Sequence, residues 1–460
     1  MASQRSFLDR NLEHYPSNSR RILYLAISVA ATIILYYEAY VLASIFPLVL
    51  TDLHMTFSTY IFLILVSNFL GAISSLIGSF SDRFGRANLV VYGVLLTSVI
   101  TLVIPLARTS SLFIVLSWVH GFVEGIILVA TPALVRDFSP RLGRATAMAF
   151  WTIGPVGGSL LATGVTGSTL NAVGAWQAEY IIAGIVGVVI ALVCLLYLRD
   201  LSPTLRAQIM TSLQEKALLE ARARGLDVDG ALKHPWRQML RARILLSAFG
   251  VSVFLLLYYA TVSYFPLYFT TIFKYSLSEA NGLLALYWAV DIVSSIVGGV
   301  ISDKFDVRKP FMLGGVIGNI LVTLIFISRI GQPTSPVFMG VLLALSGLFG
   351  PVAYVGWMAG YTETVEDINP ALVATGISIW GSLIRIVVVL ATLGFGYVVA
   401  QPTIAGEWGT WWWVCIGGML AFIPTIFLAS GYWSPTRARA AVQATLREEG
   451  LSIETAIEPA

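Results

Sequence analysis

Cysteine, histidine and charge are all scarce in this chain. Two cysteines in 460 residues exclude a disulfide framework, and Cys194 and Cys415 both lie deep in apolar runs, where a thiol packs as a small hydrophobe. The four histidines, His14, His54, His120 and His234, are too scattered for a metal centre. Charged residues are 12% of the chain, against about a quarter in soluble domains. That excludes a soluble enzyme, a nucleic-acid binder and a disordered scaffold. No H-E-x-x-H, G-x-S-x-G or G-x-x-x-x-G-K-S/T pattern occurs, so neither a membrane-embedded enzyme nor an ATP-driven pump is indicated. No cofactor and no metal are expected.

Apolar residues, by contrast, are 57% of the chain, and the mean hydropathy is +0.82. A membrane-spanning helix needs about 20 apolar residues. Such runs lie at 22–50, 58–80, 88–107, 111–134, 145–169 and 178–198, and again at 244–271, 280–301, 311–330, 336–360, 372–399 and 409–431. The expectation is an all-α membrane protein of twelve transmembrane helices in two six-helix bundles, at 22–198 and 244–431. A cytoplasmic segment 1–21, a cytoplasmic linker 199–243 and a cytoplasmic tail 432–460 complete it. With both termini inside, all but four of the 28 Lys and Arg residues are cytoplasmic; Arg108, Lys274 and Arg329 fall outside and Arg385 in the membrane. The positive-inside rule is thereby satisfied. One inner loop, 361–371, departs from it, with Glu363, Glu366 and Asp367 and no base. The polar start, with Arg5, Arg10, Arg20 and Arg21, precedes an apolar run too long for a cleaved signal peptide. The N-terminus is therefore expected to be kept, in a multi-pass protein of the cytoplasmic (inner) membrane.

The two halves echo each other. LYYEAYVLASIFPL, ending at Leu48, matches LLYYATVSYFPLYF of the seventh run, and GSFSDRFGR at 78–86 matches GVISDKFDVRK at 299–309. Six intervening spans preserve orientation, so the pattern is a parallel duplication, the plan of two bundles that rock about a midplane site. In the linker, Pro203 and Gly225 bracket a segment with Leu205, Ile209 and Leu213 at i, i+4 spacing. It reads as an amphipathic helix on the inner membrane face, or else as a soluble linker helix. Trp408, Trp411, Trp412 and Trp413 read as an aromatic belt at the outer interface.

The frame Gly78, Asp82, Arg83, Gly85, Arg86 resembles the loop between helices two and three of the major facilitator superfamily, G-x-L-A-D-R-x-G-R-R/K, with a degenerate copy in Asp303 and Lys304. The likeness covers residues 20–432. Gly85 suits a tight turn with positive φ, and Arg83 and Arg86 are expected at the cytoplasmic surface. The resemblance implies a gate in which Asp82 meets the N-terminal end of helix eleven, and it implies that helices three, six, nine and twelve are peripheral. SWVHGFVEG at 117–125 is similar to the R-x-x-x-G-x-x-E-G of organic-anion and proton symporters, with Ser117 in place of Arg. Gly154, Pro155, Gly157 and Gly158 are similar to the G-P-x-x-G-G of proton-driven exporters, with Phe150 where that signature has Gly. The same residues also suit a plain helix bend and close-packing face.

Four charges lie near mid-span, where charge is costly and rare: Glu38, Glu124, Asp291 and Arg385. His120 is one helical turn from Glu124. Glu124 is expected to load and release a coupled proton, with His120 as modulator and Glu38 as a second candidate; each acid also reads as a neutral buried group. Asp291 and Arg385 form a fixed ion pair, or Arg385 receives a substrate carboxylate while Asp291 holds it in readiness. Tyr37, Tyr40, Tyr259, Trp288 and Trp380 are candidates for an aromatic cavity wall. The function expected is a proton-coupled transporter of a small organic solute, favouring a carboxylate-bearing metabolite, that works by alternating access. The alternatives are a proton-antiporting exporter of hydrophobic or cationic compounds, and an uncoupled facilitator. Its partners are the substrate, protons and the bilayer, with no nucleic acid, and it is expected to act as a monomer.

Overall fold

The computed structural model describes residues 10–77, 85–139, 144–209, 222, 235–437 and 440. An apolar chain in lipid has no water to satisfy its backbone, so it folds into helices that bond internally. Twelve long ones occur among the described residues. They are α1 (Asn18–Asp52), α2 (Phe57–Ile77), α3 (Arg86–Val103), α4 (Ser110–Asp137), α5 (Arg144–Val173) and α6 (Trp176–Tyr197) in the first half. The second half holds α7 (Ala242–Ile272, interrupted at Leu255), α8 (Leu277–Phe305), α9 (Lys309–Arg329), α10 (Pro336–Ile368), α11 (Val373–Val398) and α12 (Ala405–Ile426). Eleven of them are long and apolar enough to cross a membrane. The other, α5, has 30 residues and is rich in Gly, Ser and Thr, the composition of a helix that packs closely on its neighbours.

In the first half α1 packs on α5 and α6, α2 on α4, and α3 on α4 and α6. In the second, α8 and α9 pack on α10, and α7 packs on α11 and α12. Matching helix-internal prolines mark the duplication: Pro47 in α1 with Pro266 in α7, and Pro132 in α4 with Pro351 in α10. The halves meet through α5 on α8, α1 on α7 and α2 on α11. Three hydrogen bonds across this seam lie toward the end away from the start of α1. Tyr60 Oη donates to Ser263 O over 2.9 Å, Asn281 Nδ2 to Ser44 O over 2.8 Å, and Ser278 Oγ to Gly167 O. A Cβ on Gly167 would lie 2.9 Å from Gly282 N, so only glycine lets α5 and α8 touch backbone to backbone there.

The opposite end, which holds the start of α1 and the end of α12, is tied within each half by charge. Arg86 and Asp137 form a buried ion pair at 2.8 Å, and Arg206 of the linker reaches Asp137 at 3.3 Å and also pairs with Asp200. Arg86 is thus no surface cation; it closes α3 onto the end of α4. Strand β1 (Asn11–Leu12) pairs in parallel with β2 (Asp200–Leu201), and Arg10 donates to the last carbonyls of α6. In the second half Arg308 pairs with Asp303 at 2.6 Å and Glu363 at 2.9 Å. Burial works against that guanidinium, but the two carboxylates outweigh it and raise its pKa above the ordinary value.

Several expectations change here. The acidic loop at 361–371 is largely the last two turns of α10, and its Glu363 is neutralised by Arg308 from another turn. The linker is helical over 203–209, where Leu205 and Ile209 pack on the protein itself; Leu213 lies outside the described residues. The aromatic belt is not formed either. Trp408, Trp411 and Trp412 are buried in the second half, and Trp413 alone of the four is exposed, at 55%. The reason is spacing, since Trp408, Trp411, Cys415 and Met419 continue one buried face of α12. Cys194 and Cys415 are both fully buried, as expected of packing residues.

Candidate functional site

Between the halves lies a cavity of about 1580 Å³. It runs from Tyr60 and Tyr264, beside the seam, to Glu363 and Glu366 at the end that carries the start of α1. Its walls come mainly from α1, α2, α4, α7, α8, α10 and α11, and the peripheral helices contribute little beyond Tyr180, Asn319 and Trp411. Glu38, His120, Glu124, Asp291 and Arg385 all line it. So do Tyr40, Tyr259 and Trp380. Two aromatic candidates do not: Tyr37 is buried at 1% exposure, and Trp288, also at 1%, packs edge-on against Tyr258 and Tyr287. Each sits on the side of its helix turned into its own bundle.

On α4 the one-turn spacing of His120 and Glu124 places both at the cavity, but the contact partner of His120 is on α1. His120 Nε2 stands 3.7 Å from Glu38 Oε2, beyond hydrogen-bond reach. The other oxygen, Glu38 Oε1, accepts a 2.6 Å bond from Ser98 Oγ of α3. Gly187 of α6 makes room for it, since a Cβ there would lie 2.0 Å from Oε1. Glu38 and His120 are buried and Glu124 is half-buried. Three helices thus hold Glu38 as a fixed brace behind His120, while Glu124 keeps access to the cavity. No periodicity on one helix could show that arrangement.

Asp291 is buried on α8 and accepts a 3.3 Å bond from Ser295 Oγ. Arg385 on α11 is exposed to the cavity. Among the described residues no carboxylate lies within ion-pair distance of Arg385, so the fixed Asp291 and Arg385 pair is not made in this conformation. Instead Arg385 lines the same cavity as Tyr36, Glu124 and Tyr259. Sequence reasoning missed Tyr354 and Asn319, whose Oδ1 accepts from Ser346 Oγ at 2.9 Å.

Of the gating residues, Gly78, Asp82 and Arg83 lie outside the described residues. Gly85 adopts φ +83°, the left-handed turn that its position required. Asp303 engages Arg308, and Lys304 is exposed. Gly154 and Gly158 of α5 pack on α1, where a Cβ would lie 2.4 Å from Thr32 and 2.8 Å from Tyr37 N respectively. Gly157 packs on Ile33 in the same seam, and Pro155 lines the cavity. Among the described residues no three His, Cys, Asp or Glu groups could hold a metal.

A family description, the Major Facilitator Superfamily, matches residues 29–392. The chain belongs to that family. Relatives in it are membrane transporters rather than enzymes. "Probable anion transporter 3, chloroplastic" of Arabidopsis thaliana is 24% identical over 343 residues, a match that spans 70% of this chain and 63% of that protein's length. The phosphoglycerate transporter protein of Salmonella typhimurium is also 24% identical, and the match covers 78% of each chain. Among solved structures, the xylose transporter XylE from E. coli, in a partially occluded inward open conformation, superposes with a TM-score of 0.62. It shares 14% identity and covers 88% of this chain and 97% of its own, which shows the superfamily fold.

Proposed function

We propose that this superfamily member is a proton-coupled secondary transporter of a small organic anion in the cytoplasmic membrane, with twelve spans and both termini inside. The observation that carries the reading is Arg385, an unpaired cation exposed in a cavity that also holds Glu124. A guanidinium without a carboxylate partner is stabilised by an incoming one through paired, charge-assisted hydrogen bonds. The names of the anion and phosphoglycerate transporters support the same charge class. With the seam closed at one end and the cavity reaching the other, this conformation is the inward-facing member of an alternating-access pair. Glu124 takes the proton from the cavity, and Glu38 and Ser98 hold His120 in place beside it.

A second reading has one observation in its favour: Asp291 has no cationic partner among the described residues. A cationic compound held at Asp291 would make the protein a proton-antiporting exporter. A solute screen on purified protein in liposomes separates the two. Uptake of an anion that fails in Arg385→Gln supports the first reading. Transport of organic cations with Arg385→Gln unaffected overturns it.

A further inference from the structure

Arg385 has open space beside it. A Cβ built on Gly381, one turn earlier on α11 and also lining the cavity, meets no atom within 4 Å. The cavity that this space opens into has aromatic walls, with Tyr36 and Tyr40 from α1, Tyr259 from α7, and Tyr354 and Trp380 from α10 and α11. Tyr354 and Trp380 are ring neighbours at 6.5 Å, and Tyr36 and Tyr40 at 5.5 Å.

Positive charge is limited here. Apart from Arg385, the only other Arg or Lys among the described lining residues is Arg308, already held by Asp303 and Glu363. His120 stands against Glu38. Negative groups are plentiful, since Glu124 and Asp291 line the same cavity. A guanidinium can accept one carboxylate in a two-pronged bond. Among the described lining residues a second negative charge on the same ligand finds no other unpaired Arg or Lys, shares the cavity with Glu124 and Asp291, and stays uncompensated.

We infer that the cavity selects a singly charged anion with a planar, largely apolar body, in chemical class an aromatic monocarboxylate, and rejects dicarboxylates and phosphate esters. The inference rests on the anion reading above and narrows it. Arg385 takes the carboxylate, the room at Gly381 takes the body, and the aromatic walls stack on its faces.

The test is thermal stabilisation of the purified full-length protein by matched probes: benzoate, terephthalate, which adds one carboxylate to the same ring, and phenyl phosphate. Benzoate should bind at least about tenfold more tightly than either dianion. Its binding should weaken progressively in Gly381→Ala and Gly381→Leu, variants that narrow the space while leaving the guanidinium charge in place. Terephthalate or phenyl phosphate binding as tightly as benzoate would overturn the inference, as would the absence of any benzoate binding. If the preferred dianion then loses its binding in Arg385→Gln, anion transport stands and only the charge rule falls. Tight binding of an organic cation that survives Arg385→Gln removes the anion reading itself.

Discussion

Glu124 and Glu38 have the same side chain and different environments, and the difference assigns their roles. Both line the cavity, but Glu38 is buried and accepts from Ser98 with His120 and Gly187 beside it, whereas Glu124 is half-buried. Glu124→Gln, neutral at every pH, should abolish accumulation driven by a proton gradient while exchange of labelled for unlabelled substrate continues. Counterflow in liposomes checks this, and gradient-driven accumulation by that variant would move the coupling site to another group. Arg385→Gln should be a clean variant for the same reason that the expected ion pair is missing. It strands no carboxylate, so the melting temperature should hold while KM rises by about tenfold to a hundredfold, equivalent to roughly 1.4 to 2.8 kcal/mol of lost binding. A large loss of stability would mean that Asp291 and Arg385 pair in another populated conformation.

At the scale of helices, the near-end ion pairs and the α1 and α5 seam carry the predictions. Arg86→Gln leaves Asp137 buried with Arg206 as its remaining cation among the described residues, which should cost up to about 3 kcal/mol. The double variant Arg86→Leu with Asp137→Leu should recover much of that, as measured by denaturation in detergent. Gly158→Ala forces a methyl onto the backbone of Tyr37 and should cost about 1 to 3 kcal/mol through overpacking. The long apolar runs were readable from sequence because lipid leaves a backbone no choice but the helix. The ends were less readable. Residues 361–368 carry charge because they project beyond the apolar stretch of α10, so composition marked them as a loop although hydrogen bonding continues through Ile368. The Trp cluster fitted both a lipid-facing belt and a core stripe, and only the continuation through Cys415 and Met419 distinguishes them. The contact between His120 and Glu38 depends on how α1 meets α4, which no local pattern encodes.

For the whole molecule, the closed seam at Tyr60, Asn281 and Ser278 and the cavity reaching Glu363 define one of two required states. Cys194 and Cys415 are fully buried, so the native chain should give little background in thiol labelling. Glu366→Cys, at an exposed position on the cavity mouth, should label readily in this state and Ser278→Cys at the buried seam should not, with the order reversed when the outward-facing state is populated. Equal labelling of the two positions under all conditions would exclude alternating access. The most direct test of the central claim is the movement of protons themselves. With the protein in liposomes that contain a pH-sensitive dye, addition of the transported anion at equal pH on both sides should carry protons with it and acidify the interior, and Glu124→Gln should abolish the signal. Uptake of the anion with no change in internal pH would contradict proton coupling.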